Sequence, residues 1–219
     1  MAVAPGGGEG GRRGVTGEVT LRPYDANTDE SGLWALKREF ELELGTATGG
    51  DDKADVYADK LTSRYRTRWL AWVDRCVDDD PGCVLVADAG RAVADAEAES
   101  GGVDAEAGGN SRSAGGEADA RIAGSGASPS GLVGYAFLLP ESLSFVWDAA
   151  VLNEIYAIPG RRGTGVADAL LDAVVEHART QDLPLDRVVL DVDAENGRAY
   201  SFYRRHGFEP WGEMVAREL

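Results

Sequence analysis

Three glycines lie close together in Ile155-Tyr-Ala-Ile-Pro-Gly-Arg-Arg-Gly-Thr-Gly-Val-Ala-Asp-Ala-Leu-Leu171, between an apolar run and an amphipathic one. A strand entering such a turn, with a helix starting at once, leaves consecutive backbone N–H groups free to cradle an anion, and the helix dipole adds to the attraction. Glycine lets phosphate oxygens approach without a Cβ in the way, and Arg161 and Arg162 add positive charge. The P-loop pattern fails here because its lysine is missing. The dinucleotide pattern fails because Asp168 stands where its third glycine belongs. The pattern Arg-x-x-Gly-x-Ala is met by Arg162-Gly163-Thr164-Gly165-Val166-Ala167. A plain strand-to-helix turn is the other reading of the same residues.

A second constellation lies downstream in Leu190-Asp191-Val192-Asp193-Ala194-Glu195-Asn196-Gly-Arg-Ala199-Tyr-Ser-Phe202-Tyr203-Arg-Arg-His-Gly207-Phe208. Asn196 suits a helix N-cap, where its side chain accepts an N–H and can also face a ligand. Gly207 suits the helix end. Alternation along the preceding strand puts Asp191 and Asp193 on one face.

These residues need elements to position them. Short strands are expected at 19–23, 83–87, 132–139, 151–158, 187–192 and 211–217. Helices are expected at 32–44, 52–78, 164–180 and 196–206. In the second of these, Tyr57, Leu61, Tyr65, Trp69 and Val73 recur every four residues and form one apolar stripe. The strand at 132–139 is expected to pair with 83–93. The order is that of a mixed α/β fold, antiparallel at its start, with a β-α-β unit near its end.

Composition sets the limits. The chain has 219 residues, 38 acids against 22 bases and a formal net charge of −16. So acidic a protein is a poor nucleic-acid binder. No apolar run is long enough to cross a membrane. The opening residues lack the apolar stretch of a secretory leader, so a cytoplasmic location is expected. Only Lys37, Lys53 and Lys60 are lysines; the other 19 bases are arginines. An acid-rich, lysine-poor composition resembles that of proteins from extreme halophiles, in which salt screens the self-repulsion. Cys76 and Cys83 read as ordinary buried thiols, with a mutual pairing as the alternative, and neither they nor His177 and His206 suggest a metal site. The two histidines read as surface residues. Residues 1–14, with six glycines, are expected to form a disordered tail. Of the 37 residues of 94–130, 31 are Ala, Gly, Ser, Asp or Glu, too little apolar surface to offset ordering. They read as a loop inserted in a single domain spanning 15–219.

The two constellations together resemble the GCN5-related N-acetyltransferases (the GNAT superfamily). Arg162 to Ala167 matches that family's signature for the pyrophosphate of acetyl-CoA. The strand ending at Ile158 is similar to the family's fourth strand, which splays from its neighbour and pairs with the pantetheine arm. The resemblance therefore implies a mostly antiparallel central sheet flanked by helices, acetyl-CoA as donor and an amine as acceptor, with no metal. It implies contacts to the donor from the backbone at Tyr156, Ala157 and Ile158, from Arg161, Arg162, Gly163, Thr164, Gly165, Val166 and Ala167, and from Asn196 and Tyr203. Tyr203 matches the tyrosine that protonates the leaving thiolate; an aromatic core contact is its other reading. The stretch around Asn196 is most similar to the ribosomal-protein N-terminal alanine acetyltransferases. There Asp191 takes the place of a glutamate base, one methylene shorter, which suggests a water relay. Glu154 is the alternative base and Asp193 a third candidate; each acid could instead orient the amine or be solvated.

The acceptor, small molecule or protein N-terminus, is set by residues 32–78 and by loops that carry no motif. A non-catalytic acyl-CoA-binding module is the alternative to an enzyme, and a docking role for 94–130 is a third reading. A monomer and a homodimer both fit the sequence.

Overall fold

The structure, a computed structural model, describes residues 19–47, 50–90, 130–215 and 217. The expected tail, and all of the expected insertion except Ser130, lie outside these residues. Five strands form one sheet in the order β1 (Thr20–Pro23), β2 (Val84–Asp88), β3 (Leu132–Leu138), β4 (Ala150–Ala157) and β5 (Val188–Val189). The first four are antiparallel neighbours, and β5 runs parallel to β4. This is the mixed α/β single domain expected from the sequence. The insertion joins two adjacent antiparallel strands, and Ala89 N–H donates to Gly131 O at its root, 3.0 Å away. Its replacement by a short turn is therefore expected to leave donor binding and turnover within about twofold of the parent, since the paired residues of β2 and β3 are kept; steady-state assays on the shortened chain check this.

Helices cover both faces. α1 (Ala26–Ala47), α2 (Gly50–Asp59) and α3 (Ser63–Asp79) precede β2. On one face Phe40 of α1 meets Tyr135 of β3, and Trp72 of α3 meets Phe137. On the other lies α4 (Val166–Ala178), with Leu170, Leu171 and Val174 buried. Gly134 allows that approach: a Cβ there would stand 2.7 Å from Tyr156 O and 3.2 Å from a Leu170 methyl. Every residue of β3 is buried, which identifies it as the centre of the core. α5 (Gly197–Arg205) comes after β5.

Four expectations need correction. The first helix starts at Ala26 rather than 32, because Asp25 caps it, its Oδ1 accepting from Asn27 N–H at 2.9 Å. Asp29 accepts from Asp25 N–H at 3.0 Å and pairs with Arg22. The helix expected over 52–78 is two helices: Thr62 accepts from Tyr65 N–H, starting α3 afresh. The fifth strand is two residues long instead of six. No strand forms at 211–215; Trp211 instead stacks on the Arg187 guanidinium, 3.8 Å from its ring centroid.

Candidate active site

The site starts where β4 and β5 part. Their last paired residues are Val151 and Val189, yet β4 runs on to Ala157. The register against β3 slips at Asn153, leaving an extra residue on β4. Such a bulge bends the strand and re-aims its remaining residues. Beyond it Ile158 N–H donates to Val133 O. Strand alternation then turns Tyr156 and Glu154 backbone groups toward β3 as well, and leaves those of Ile155 and Ala157 facing the open β5 side. Of the three residues expected to present backbone to a ligand, Ala157 is therefore the one that faces the notch, joined by Ile155.

β4 runs straight into the glycine turn. Gly163 and Gly165 adopt φ of 74° and 91°, conformations that side-chain-bearing residues rarely take. A Cβ at Gly163 would meet open space, so glycine is kept there for backbone shape. α4 starts at Val166, two residues later than the expected 164, with Gly165 as its cap, and Thr164 Oγ1 donates to Arg161 O at 2.7 Å. Arg162 donates from Nε to Ala157 O at 3.2 Å and ion-pairs with Glu43 of α1, which also holds Arg198.

A cleft of about 860 Å³ lies between α1, α2, the free side of β4 and the start of α5. Of the expected site residues, Glu154, Tyr156, Asp191, Asn196 and Tyr203 line it. Residues 157–167 do not, and they adjoin it through Arg162 and Glu43. Asn196 caps α5, accepting from Ala199 N–H at 3.1 Å. Tyr203 is half-buried and packs against Phe202 and Phe208. Burial pushes its phenol up to about 12, so it keeps its proton through the physiological range. Asp191 is exposed at the cleft edge. Asp193, on the same lining, accepts from Lys53 Nζ at 2.7 Å.

Glu154 has a different environment. Its Oε1 accepts from Lys37 Nζ at 2.5 Å and from Asn153 Nδ2 at 3.1 Å, and its Oε2 accepts from the Tyr135 hydroxyl at 2.6 Å. Lys37 also pairs with Glu41 at 2.6 Å, and Glu41 in turn with Lys60 at 2.6 Å. Burial works against charge on Lys37, but Glu154 and Glu41 outweigh it and hold the ammonium above the ordinary lysine range. Burial likewise opposes charge on Glu41, and Lys37 overcomes it, holding the carboxyl below its usual range. Sequence reasoning missed this network. Its one signal in the sequence was the i,i+4 spacing of Lys37 and Glu41; the fold also brings all three lysines of the chain to this cleft.

The histidines are half-buried instead of on the surface: His177 bonds Asp80 at 2.8 Å, and His206 bonds Asp168 at 2.9 Å. Cys76 and Cys83 are free buried thiols, both pushed up by burial. Among the described residues no helix is long and apolar enough to cross a membrane, and no group of three or more His, Cys, Asp or Glu could hold a metal ion.

A mixed sheet whose last two strands part, and whose free strand edge leads into a glycine turn capping a helix, defines an α/β fold with an open strand edge beside a cleft. The chain belongs to the acetyltransferase (GNAT) family, whose model matches residues 51–208. An uncharacterized N-acetyltransferase of Mycobacterium tuberculosis is 39% identical over 87 residues, 39% of this chain and 51% of the relative. The matched stretch thus spans about half the length of that relative. The mycothiol acetyltransferase of Kocuria rhizophila is 37% identical over 67 residues, 29% of this chain and 22% of its own. Among solved structures, the PaiA N-acetyltransferase of Thermoplasma acidophilum, in complex with coenzyme A, shares the fold with a TM-score of 0.54 at 14% identity, covering 88% of this chain and 90% of that one.

Proposed function

We propose that the protein is an acetyl-CoA-dependent N-acetyltransferase that moves an acetyl group to a primary amine, of a small molecule or a protein N-terminus, by direct attack in a ternary complex. One observation carries this reading above the others. The free edge of β4 ends in the glycine turn, and Tyr203, Asn196 and Asp191 line the cleft on that same side. The donor fits these residues. Ile155 and Ala157 offer strand-edge backbone groups, and the turn from Arg161 to Ala167 offers N–H groups at the start of α4 with no Cβ on Gly163 or Gly165. When bound, acetyl-CoA supplies the thioester carbon that the amine attacks.

The chain's own groups handle the protons. Tyr203 holds a proton in the cleft and gives it to the departing thiolate. Asp191, which has no hydrogen-bond or ion-pair partner among the described residues, takes the proton of the amine through a water. Glu154 is spent on Lys37, Tyr135 and Asn153, and its part is to fix the cleft floor. The similarity of the stretch around Asn196 to ribosomal-protein alanine acetyltransferases supports an N-terminal amine as one acceptor to assay. The domain is read as 15–219 with 94–130 inserted, in a cytoplasmic, salt-adapted protein.

Gly165→Asp is expected to weaken acetyl-CoA binding about thirtyfold, roughly 2 kcal/mol, by setting a carboxylate at a site shaped for phosphate and straining the cap. Calorimetry on the folded variant checks it, and undiminished affinity removes the turn from the donor site. For the wild type, kcat/KM is expected to rise with pH as the acceptor amine loses its proton, with no fall assignable to Tyr203 below about 11, since its phenol titrates near 12. The reading itself is tested by thiol release from acetyl-CoA across an amine panel. Donor binding with no thiol release on any amine would mark a binding module instead.

A further inference from the structure

All three lysines of this arginine-rich chain line the cleft, and one of them sits in a cage. The Lys60 ammonium lies 4.0 Å from the Tyr57 ring centroid and 5.8 Å from that of Tyr65. It pairs with Glu41 Oε2 at 2.6 Å. Two aromatic faces and a carboxylate are the elements by which proteins recognise organic ammonium ions. The carboxylate is nearly inaccessible, with its side chain 5% exposed, whereas the Lys60 side chain is 34% exposed. Glu41 Oε1 is already taken by Lys37 and by the Tyr65 hydroxyl, at 2.6 and 3.1 Å. Oε2 is buried and accepts no hydrogen bond of ordinary geometry among the described residues. Charge gives the same answer. Glu41 and Glu154 are balanced by Lys37 and Lys60, so if Lys60 swings out, the cleft keeps one uncompensated buried carboxylate, a costly state that any entering cation relieves.

We propose that Glu41, Tyr57 and Tyr65 form an ammonium subsite, that Lys60 is its tethered occupant, and that the acceptor's own ammonium displaces Lys60. This deepens the acetyl-transfer reading and rests on it. A cation seated between a buried carboxylate and two aromatic faces keeps its proton, so it is not the nitrogen that reacts. The acceptor therefore carries at least two amines, one held in the cage and one left neutral beside the donor. Lys60 lowers the apparent affinity by the fraction of time it fills the cage.

The test compares wild type with Lys60→Met, and with Lys60→Gln should the first not fold, using putrescine as the diamine and butylamine as the monoamine. With Lys60 filling the cage nine-tenths of the time, calorimetry in the presence of CoA is expected to show putrescine binding about tenfold tighter to the variant. The kcat/KM ratio of putrescine over butylamine is expected to rise similarly. Adding Glu41→Gln to the variant is expected to cancel both gains. Putrescine binding unchanged from wild type in a folded variant would overturn the proposal and leave Lys60–Glu41 a structural ion pair. The two readings fail separately, because calorimetry needs no turnover. Tightened putrescine binding with no thiol release keeps the cage and sinks the transfer; unchanged binding in an active variant does the reverse.

Discussion

Lys37→Met is expected to cost about 3–5 kcal/mol of stability, a large part of what holds a domain of this size together. The methionine nearly matches the lysine in length, so the loss is electrostatic. It leaves Glu154, whose side chain is 6% exposed, with no cation among the described residues, and leaves Glu41, 5% exposed, with Lys60 alone. The pH dependence separates this from a packing defect. In the wild type Glu41 titrates below its unfolded value, so its contribution is present above about pH 4.3 and is lost as pH falls through the folded value. Lys37 titrates above its unfolded value, so its contribution is complete below about pH 10.4 and is lost as pH rises through the folded value. The variant reverses the acid limb: its stability is expected to rise from pH 7 to about 5, as one stranded carboxyl takes a proton. Urea unfolding at several pH values reads this directly. A variant as stable as wild type, or one that weakens further in mild acid, would contradict the network.

Tyr203→Phe is expected to lower kcat about hundredfold while the KM for acetyl-CoA moves less than about threefold. Loss of a positioned proton donor costs a factor of this order, and the ring that packs on Phe202 and Phe208 remains. A change confined to KM would make Tyr203 a binding wall, and an unchanged kcat would remove it from the chemistry.

The parts of this molecule that could be read from sequence are those whose cause is local. The turn from Arg162 to Ala167 needs glycine for backbone shape, and two positive φ values show that need. Asn196 and Gly207 bracket α5 by rules that act within one turn of helix. The break between α2 and α3 was hidden because the four-residue spacing of Tyr57, Leu61 and Tyr65 continues across it, while Thr62 is an unobtrusive cap. The strand expected at 211–217 finds no edge to join over 211–215, since β5 is only two residues long. The Lys37–Glu154 pair spans 117 positions with no local pattern at either end, and only the fold brings it together. Glu154 was visible as an acid on the right strand; that both its oxygens are engaged was not.

The measurement that bears most directly on the account is calorimetric titration of the full chain with acetyl-CoA, in low and in multimolar potassium chloride, with folding followed by circular dichroism in each. Saturable binding at one site, weakened by Gly165→Asp, is the expected result. No binding by a sample shown to be folded would leave the parted strands and the glycine turn as architecture alone, and the transferase reading would fall.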